Sequence, residues 1–143
     1  MKSPTATPAR SALCVAILLT PLGALAADLQ LSVVDGPAQP ATLYVALYDS
    51  AEGYAANKTL AAQTAPMNGG SATLSFRGLA PKRYALRVFA DENGNGKLDT
   101  NLMGMPTERY GFSNDAMGNR AAPGFDAAAF PLDADQQAVI HLR

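Results

Sequence analysis

Oxygen-bearing side chains recur at every second position along Asp91-Glu92-Asn93-Gly94-Asn95-Gly96-Lys97-Leu98-Asp99, the spacing with which a short loop wraps a hard cation. Asp91, Asn93, Asn95 and Asp99 would supply side-chain oxygens and Lys97 its main-chain carbonyl, which reproduces the first nine positions of a calcium loop. Gly96 falls on the sixth position, where the chain must take a positive φ. Leu98, two residues on, is apolar and is expected to point back into the fold. A helix-loop-helix calcium site carries a bidentate glutamate at its twelfth position, and this chain has Leu102 there. The loop is therefore not an ordinary EF-hand, and its shell needs an oxygen from elsewhere. Glu108 has the charge and the reach to supply it. The competing reading is an Asn/Gly-rich hairpin loop whose side chains bond only their own backbone.

Other reactive chemistry is sparse. The chain has one histidine, His141, and it falls on the outward face of an alternating segment, where it reads as a solvent-facing strand residue and not as a general base. One histidine cannot supply the ligands that zinc hydrolysis needs. Ser71, Ser75 and Ser113 have no histidine near in sequence to activate them. Glu108 with Asp115 or Asp126 offers a carboxylate pair of the kind that cleaves glycosidic bonds, and this glycosidase-like hydrolase is the alternative to a non-catalytic protein. A third reading is a purely structural protein without metal. Asn57-Lys58-Thr59 matches a glycosylation sequon, which has meaning only in a host that glycosylates exported asparagines.

The elements that position the loop read as short strands. Tyr84, Leu86, Val88 and Ala90 alternate with Ala85, Arg87 and Phe89, a period of two that makes the segment entering the loop a strand and not a helix. The same alternation appears at Leu29/Leu31/Val33, Leu43/Val45/Leu47, Ala72/Leu74/Phe76 and Ala138/Ile140/Leu142, with a weaker segment near Thr59 to Ala65 that Pro66 and Asn68-Gly69-Gly70 break. Six to seven short strands and no helix of useful length predict an all-β fold: a single antiparallel β-sandwich with one long functional loop. That loop, between Asn101 and Phe125, is long for a compact domain, as functional or disordered loops are. Its Met103, Met105, Tyr110, Phe112 and Phe125 give it the composition of a segment that packs down. Arg109, Tyr110, Phe112 and Asn114 are the candidate ligand-facing residues, since recognition surfaces favour aromatics and arginine.

Residues 1–26 have the layout of an export signal: Lys2 and Arg10 precede an apolar run, Ser11 to Leu22, too short to span a bilayer, and Ala24-Leu25-Ala26 is a small-x-small cleavage site. Cys14 lies too early in the apolar run for a lipid anchor. Removing this segment takes Lys2, Arg10 and Cys14 with it, moves the formal net charge from −1 to −3 and leaves residues 27–143 without cysteine. Disulfides, thiolate metal sites and cysteine nucleophiles are then excluded from the mature domain, and its stability must come from its core together with any bound metal. The mild acidic balance carries no nucleic-acid footprint. No second apolar run of spanning length follows, so no stable membrane insertion is expected after cleavage.

The run Phe89 to Asn101, with Gly104-Met105-Pro106-Thr107-Glu108 and Tyr110-Gly111-Phe112-Ser113-Asn114, resembles the exported bacterial proteins grouped as domain of unknown function 2141. The resemblance is strongest from Leu79 to Phe130. It implies a small sandwich of the prealbumin or immunoglobulin kind, without a settled activity, in a Gram-negative periplasm or secreted. The Asp-x-Asn-x-Asn-Gly loop is also similar to that of calcium-binding B-type repeats in bacterial surface adhesins. Arg109 stands where the family usually has glycine, and Asp115 where it usually has asparagine. Together these readings predict a periplasmic or secreted, non-catalytic Ca2+-binding module. They predict that it binds a protein or glycan of the cell envelope through its long loop.

Overall fold

A computed structural model describes residue 23 and residues 25–143. The expected signal segment therefore lies almost wholly outside the described residues.

Eight strands follow: β1 (Ala27–Val34), β2 (Ala41–Tyr48), β3 (Ala61–Met67), β4 (Ala72–Leu79), β5 (Lys82–Asp91), β6 (Tyr110–Phe112), β7 (Phe130–Leu132) and β8 (Gln136–His141). They form two facing sheets, a small one ordered β4-β1-β8 and a large one ordered β3-β2-β5-β6, with β7 pairing with the start of β5. The all-β sandwich is the expected architecture. Its strand count exceeds the expected six to seven because β6 and β7 are three residues each, too short for alternation to register. One pair departs from the antiparallel rule: β1 and β8 run parallel, Leu29 opposite Gln136 through Val34 opposite His141.

Alternation buries one face of each long strand. Leu29, Leu31 and Val33 of β1 meet Leu43, Val45 and Leu47 of β2, Phe76 of β4, Leu86 and Val88 of β5 and Ile140 of β8 in one core. Each large apolar side chain so buried contributes about 1.5–3 kcal/mol. Pro66 was expected to end the weak third segment, yet it lies inside β3 opposite Thr42. An edge strand tolerates it, because a proline there leaves no ladder hydrogen bond unmade.

Two short helices and a 3-10 turn cover part of the large sheet's outer face. α1 (Ala51–Ala55) starts at Ser50, whose hydroxyl accepts the Gly53 N–H at 3.1 Å, and α2 (Phe125–Ala128) leads into β7. Tyr54 of α1 packs edge-on to Tyr48 and Phe125, and with Ala85, Phe112 and Ala128 these residues make a second apolar cluster. The stretch after Asn101 is thus not one open loop. It holds a bridge between Thr100 and Pro106, then β6, the turn Ser113–Asp115 and α2.

β5 is the strand on which both halves of the outer face depend. On one edge it pairs with β2 from Ala85 to Asp91; on the other it pairs with β7 through Lys82–Tyr84 and with β6 through Arg87–Phe89. The gap between those two partners spans Ala85 and Leu86, and the free N–H on that edge is that of Leu86. Its main-chain N–H donates to Ser113 Oγ at 2.9 Å, and that hydroxyl donates onward to the Ala128 carbonyl, so the gap leaves no orphan donor.

Candidate functional site: an oxygen-rich loop at the end of an aromatic groove

β5 delivers Asp91 to the mouth of the loop. Its carboxylate is buried, with Oδ1 accepting the Gly94 N–H and Oδ2 the Gly96 N–H, each at 2.8 Å. Gly94 and Gly96 have φ of 76° and 72°, the left-handed conformation that aims their N–H groups inward and suits glycine. Burial pushes the Asp91 carboxyl up. The main-chain N–H groups of Gly96, Gly94, Asn95 and Asn93 outweigh it and hold the group below its ordinary value.

Asn93, Asn95 and Asp99 come together through hydrogen bonds among themselves. The amides of Asn93 and Asn95 donate to the Asp99 carboxylate. Their oxygens accept the main-chain N–H groups of Asn95 and Lys97, at 3.1 and 2.9 Å. Lys97 is exposed. Among the described residues no group of three or more His, Cys, Asp or Glu side chains is arranged to hold a metal ion. The local side-chain to backbone bonding is that of a self-closed Asn/Gly loop. For Asp91, Asn93, Asn95 and Asp99 to hold Ca2+, the two amides must turn their oxygens toward the ion. The carboxylates keep free lone pairs for it.

Glu108 reaches the loop, as its position and charge suggest, and both of its oxygens bond main-chain N–H groups there. It is 8% exposed, and its two oxygens accept the main-chain N–H groups of Glu92 and Asp99, each at 3.0 Å. It braces both ends of the loop. The adjacent turn is closed by Asn101, whose Oδ1 accepts the N–H groups of Met103 and Met105.

The four ligand-facing candidates separate. Arg109 is exposed, and its guanidinium donates to the Asp35 carbonyl at 3.0 Å. Tyr110 is half-buried, with the Arg143 guanidinium 5.7 Å from its ring centre. Phe112, expected to be exposed, is buried in the second apolar cluster, because β6 pairing places it opposite Arg87 and beneath the helical cover. Asn114 is a structural tie: its amide donates to the carbonyls of Ala127 and Ala129 at 3.3 and 3.0 Å. The carboxylates of the hydrolase reading are likewise in separate contacts, Asp115 with His141 and Asp126 with Arg83. Asp115, with φ of 48°, accepts both the His141 N–H at 2.8 Å and its Nδ1 at 2.7 Å. Burial pushes its carboxyl up, but the hydrogen bonds from His141 and the charges of His141 and Arg143 hold it below the ordinary value.

A larger cavity than the one beside Asp91 to Gly94 lies elsewhere. Where the helices stop, the outer face of the large sheet is open as a groove of about 690 Å3. Strand register lays out its walls. One row across the sheet runs Thr64, Tyr44, Phe89, Tyr110, and the next runs Ala62, Ala46, Arg87, Phe112. Tyr44 and Phe89 stack face to face at 4.9 Å and form a ridge; the alanines beside them form the trough. Gly96, Lys97 and Leu98 of the oxygen-rich loop close one end. A Cβ on Gly96 would sit 3.4 Å from the Tyr44 hydroxyl, so loop and ridge are in contact. Leu98 is half-buried there, as its apolar character suggests.

Sequence reasoning did not single out Tyr44, Arg87 or Phe89. The signal was present: β2 and β5 carry aromatic or long side chains on the face opposite their core residues, where a solvated strand would alternate with polar ones.

No curated protein and no solved structure matches this chain significantly. The sequence profile of one family does, over residues 32–140, which cover both sheets, the loop and the groove. The chain belongs to that family, described as "Uncharacterized protein conserved in bacteria (DUF2141)".

Proposed function

We propose that this chain is an exported, non-catalytic binding module of the bacterial cell envelope. It takes a small ring-bearing ligand, a glycan above all, in the aromatic groove. The observation that carries the reading is the groove itself. A concave site of about 690 Å3, walled by aromatics with a few polar groups at its rim, has the size and lining of a small-ligand site. A protein partner would need a broader surface than this trough offers. Asn57, Thr59 and Thr64 along the rim supply the polar contacts that orient a saccharide.

Ca2+ enters this reading as the regulator of one wall. Asp91, Asn93, Asn95 and Asp99, with the Lys97 carbonyl, hold the ion, while Glu108 braces the loop around it. Fixing Gly96 to Leu98 then fixes the end of the groove. Export through the N-terminal signal places the module in the periplasm or outside the cell, where calcium is available and thiol chemistry is not needed.

The test is a ligand-observed NMR screen of oligosaccharides released from Gram-negative envelope, run in calcium and in excess chelator. The expected result is a saccharide whose binding is lost in Tyr44→Ser and Phe89→Ala and weakened by chelator. Binding indifferent to both groove substitutions, or no saccharide bound, overturns the reading.

A further inference from the structure

Arg87 is the cation at the centre of the groove's second row, and among the described residues no carboxylate pairs with it. One Nη donates to the Tyr54 carbonyl at 2.9 Å and the other to Asn57 Oδ1 at 3.3 Å. Its guanidinium carbon stands 3.8 Å from the Tyr54 ring centre and 5.1 Å from that of Tyr48. Nε is buried without any hydrogen-bond partner. All of these neighbours are neutral. The ion pairs among the described residues are Lys82–Asp49, Arg83–Asp126 and His141–Asp115, and Arg87 is in none of them. A half-buried guanidinium balanced only by dipoles and ring faces leaves charge uncompensated.

The groove as a whole repeats that imbalance. Its lining holds Arg87 and Lys97 and not one Asp or Glu, in a chain whose acidic side chains outnumber its basic ones, 12 to 11. A trough with low-dielectric aromatic walls and cations of one sign focuses a positive potential on whatever enters. Geometry adds a direction. The alanine trough at Ala46 and Ala62 runs beside the Tyr44–Phe89 ridge and ends on Arg87, since Ala46 pairs with Arg87 and with Ala62.

We infer that the groove selects an anionic ligand: a ring-bearing carboxylate whose ring lies over Ala46 and Ala62 and whose carboxylate docks on Arg87, with Lys97 at the rim. A planar guanidinium fork suits a carboxylate better than it suits a neutral hydroxyl. This inference rests on the groove being the binding site, as proposed above. Uronic-acid sugars and aryl carboxylates share the required chemistry.

The experiment titrates the full chain with a glucuronate disaccharide and with 2-naphthoate, and with the neutral counterparts, a glucose disaccharide and 2-naphthamide. Binding is followed by the amide resonances of Ala46 and Ala62. At least one carboxylate should bind ten-fold or more tighter than its neutral counterpart, about 1.4 kcal/mol, and its affinity should fall with added salt. The arm that responds identifies the source. Arg87→Gln should erase the preference and Arg87→Lys should keep part of it. Because Arg87 also ties α1 to the sheet, Lys97→Gln serves as a second variant remote from that contact, and it should weaken the carboxylate two- to three-fold while leaving the neutral probe unchanged. Neutral probes that bind as tightly as carboxylates overturn the anion inference and leave the groove as a binding site. No shift at Ala46 or Ala62 with either carboxylate overturns it as well, as does a preference that survives in folded Arg87→Gln.

Discussion

The Glu108 carboxylate accepts the main-chain N–H of Asp99 at 3.0 Å with one oxygen, and with the other it holds the N–H of Glu92 across the mouth of the same loop. Glutamine at this position turns an N–H2 toward one of those donors. One part-buried N–H then loses its acceptor, at a cost of about 1 kcal/mol. Urea unfolding of Glu108→Gln should show that loss, with faster proteolysis between Glu92 and Thr107. Stability equal to wild type would mean that the brace is dispensable.

Calcium should raise stability if the native loop binds it and the unfolded chain does not. A calcium concentration a hundred-fold above the dissociation constant adds about 2.7 kcal/mol. Thermal melts in calcium should lie well above melts in excess chelator, with magnesium a poor substitute because it demands a tighter octahedron. Superimposable curves would remove the ion from the proposed function.

Acid should unfold the domain through Asp91 and Asp115. Both carboxyls are held below their ordinary value in the folded state, so each binds its proton more readily in the unfolded chain. Their contribution is therefore fully present above the unfolded value of about 3.9 and is lost as pH falls through the lower folded values. Stability attributable to these groups should be flat from neutral pH to about pH 5 and decline below about pH 4. Asp91→Asn should shallow that acid limb. An unchanged limb in both Asp91→Asn and Asp115→Asn would place the acid sensitivity elsewhere.

Gly111 is the point at which β6 passes over β8. A Cβ there would lie 2.7 Å from Ile140 Cγ2 and 3.1 Å from the His141 carbonyl. Gly111→Ala should cost about 1–3 kcal/mol through overpacking and loosen the main-chain bonds between Tyr110 and Arg143. Hydrogen exchange at Tyr110 and Arg143 would report it; unchanged protection would show that β6 shifts without strain.

Export predicts a particular N-terminus. Ala24 and Ala26 suit the small-residue pockets of a signal peptidase, so protein recovered from the host envelope should begin at Ala27. N-terminal sequencing decides it, and an intact Met1 or a lipid-bearing Cys14 would refute it.

The sequence alone determined the sandwich and marked Asp91 to Asp99 as one oxygen-rich loop, because both depend on local rules. A period of two in Leu29/Leu31/Val33 or Leu43/Val45/Leu47 names the buried face without reference to any partner strand. Asp91 to Asp99 closes through bonds spanning only a few residues, so its spacing carries its geometry. The tertiary structure decided which strands are neighbours, and with that the site. β6 and β7 are strands only because β5 offers them an unpaired edge. Phe112 is buried only because that pairing slides it beneath α1 and α2. Glu108 meets the backbone N–H groups of Glu92 and Asp99 because the chain doubles back after Thr107, which no spacing rule announces. The groove is the fullest case. Tyr44, Ala46, Ala62, Arg87, Phe89 and Tyr110 come from four strands, and side chains that far apart in the chain become one surface only through register, a property of long-range pairing.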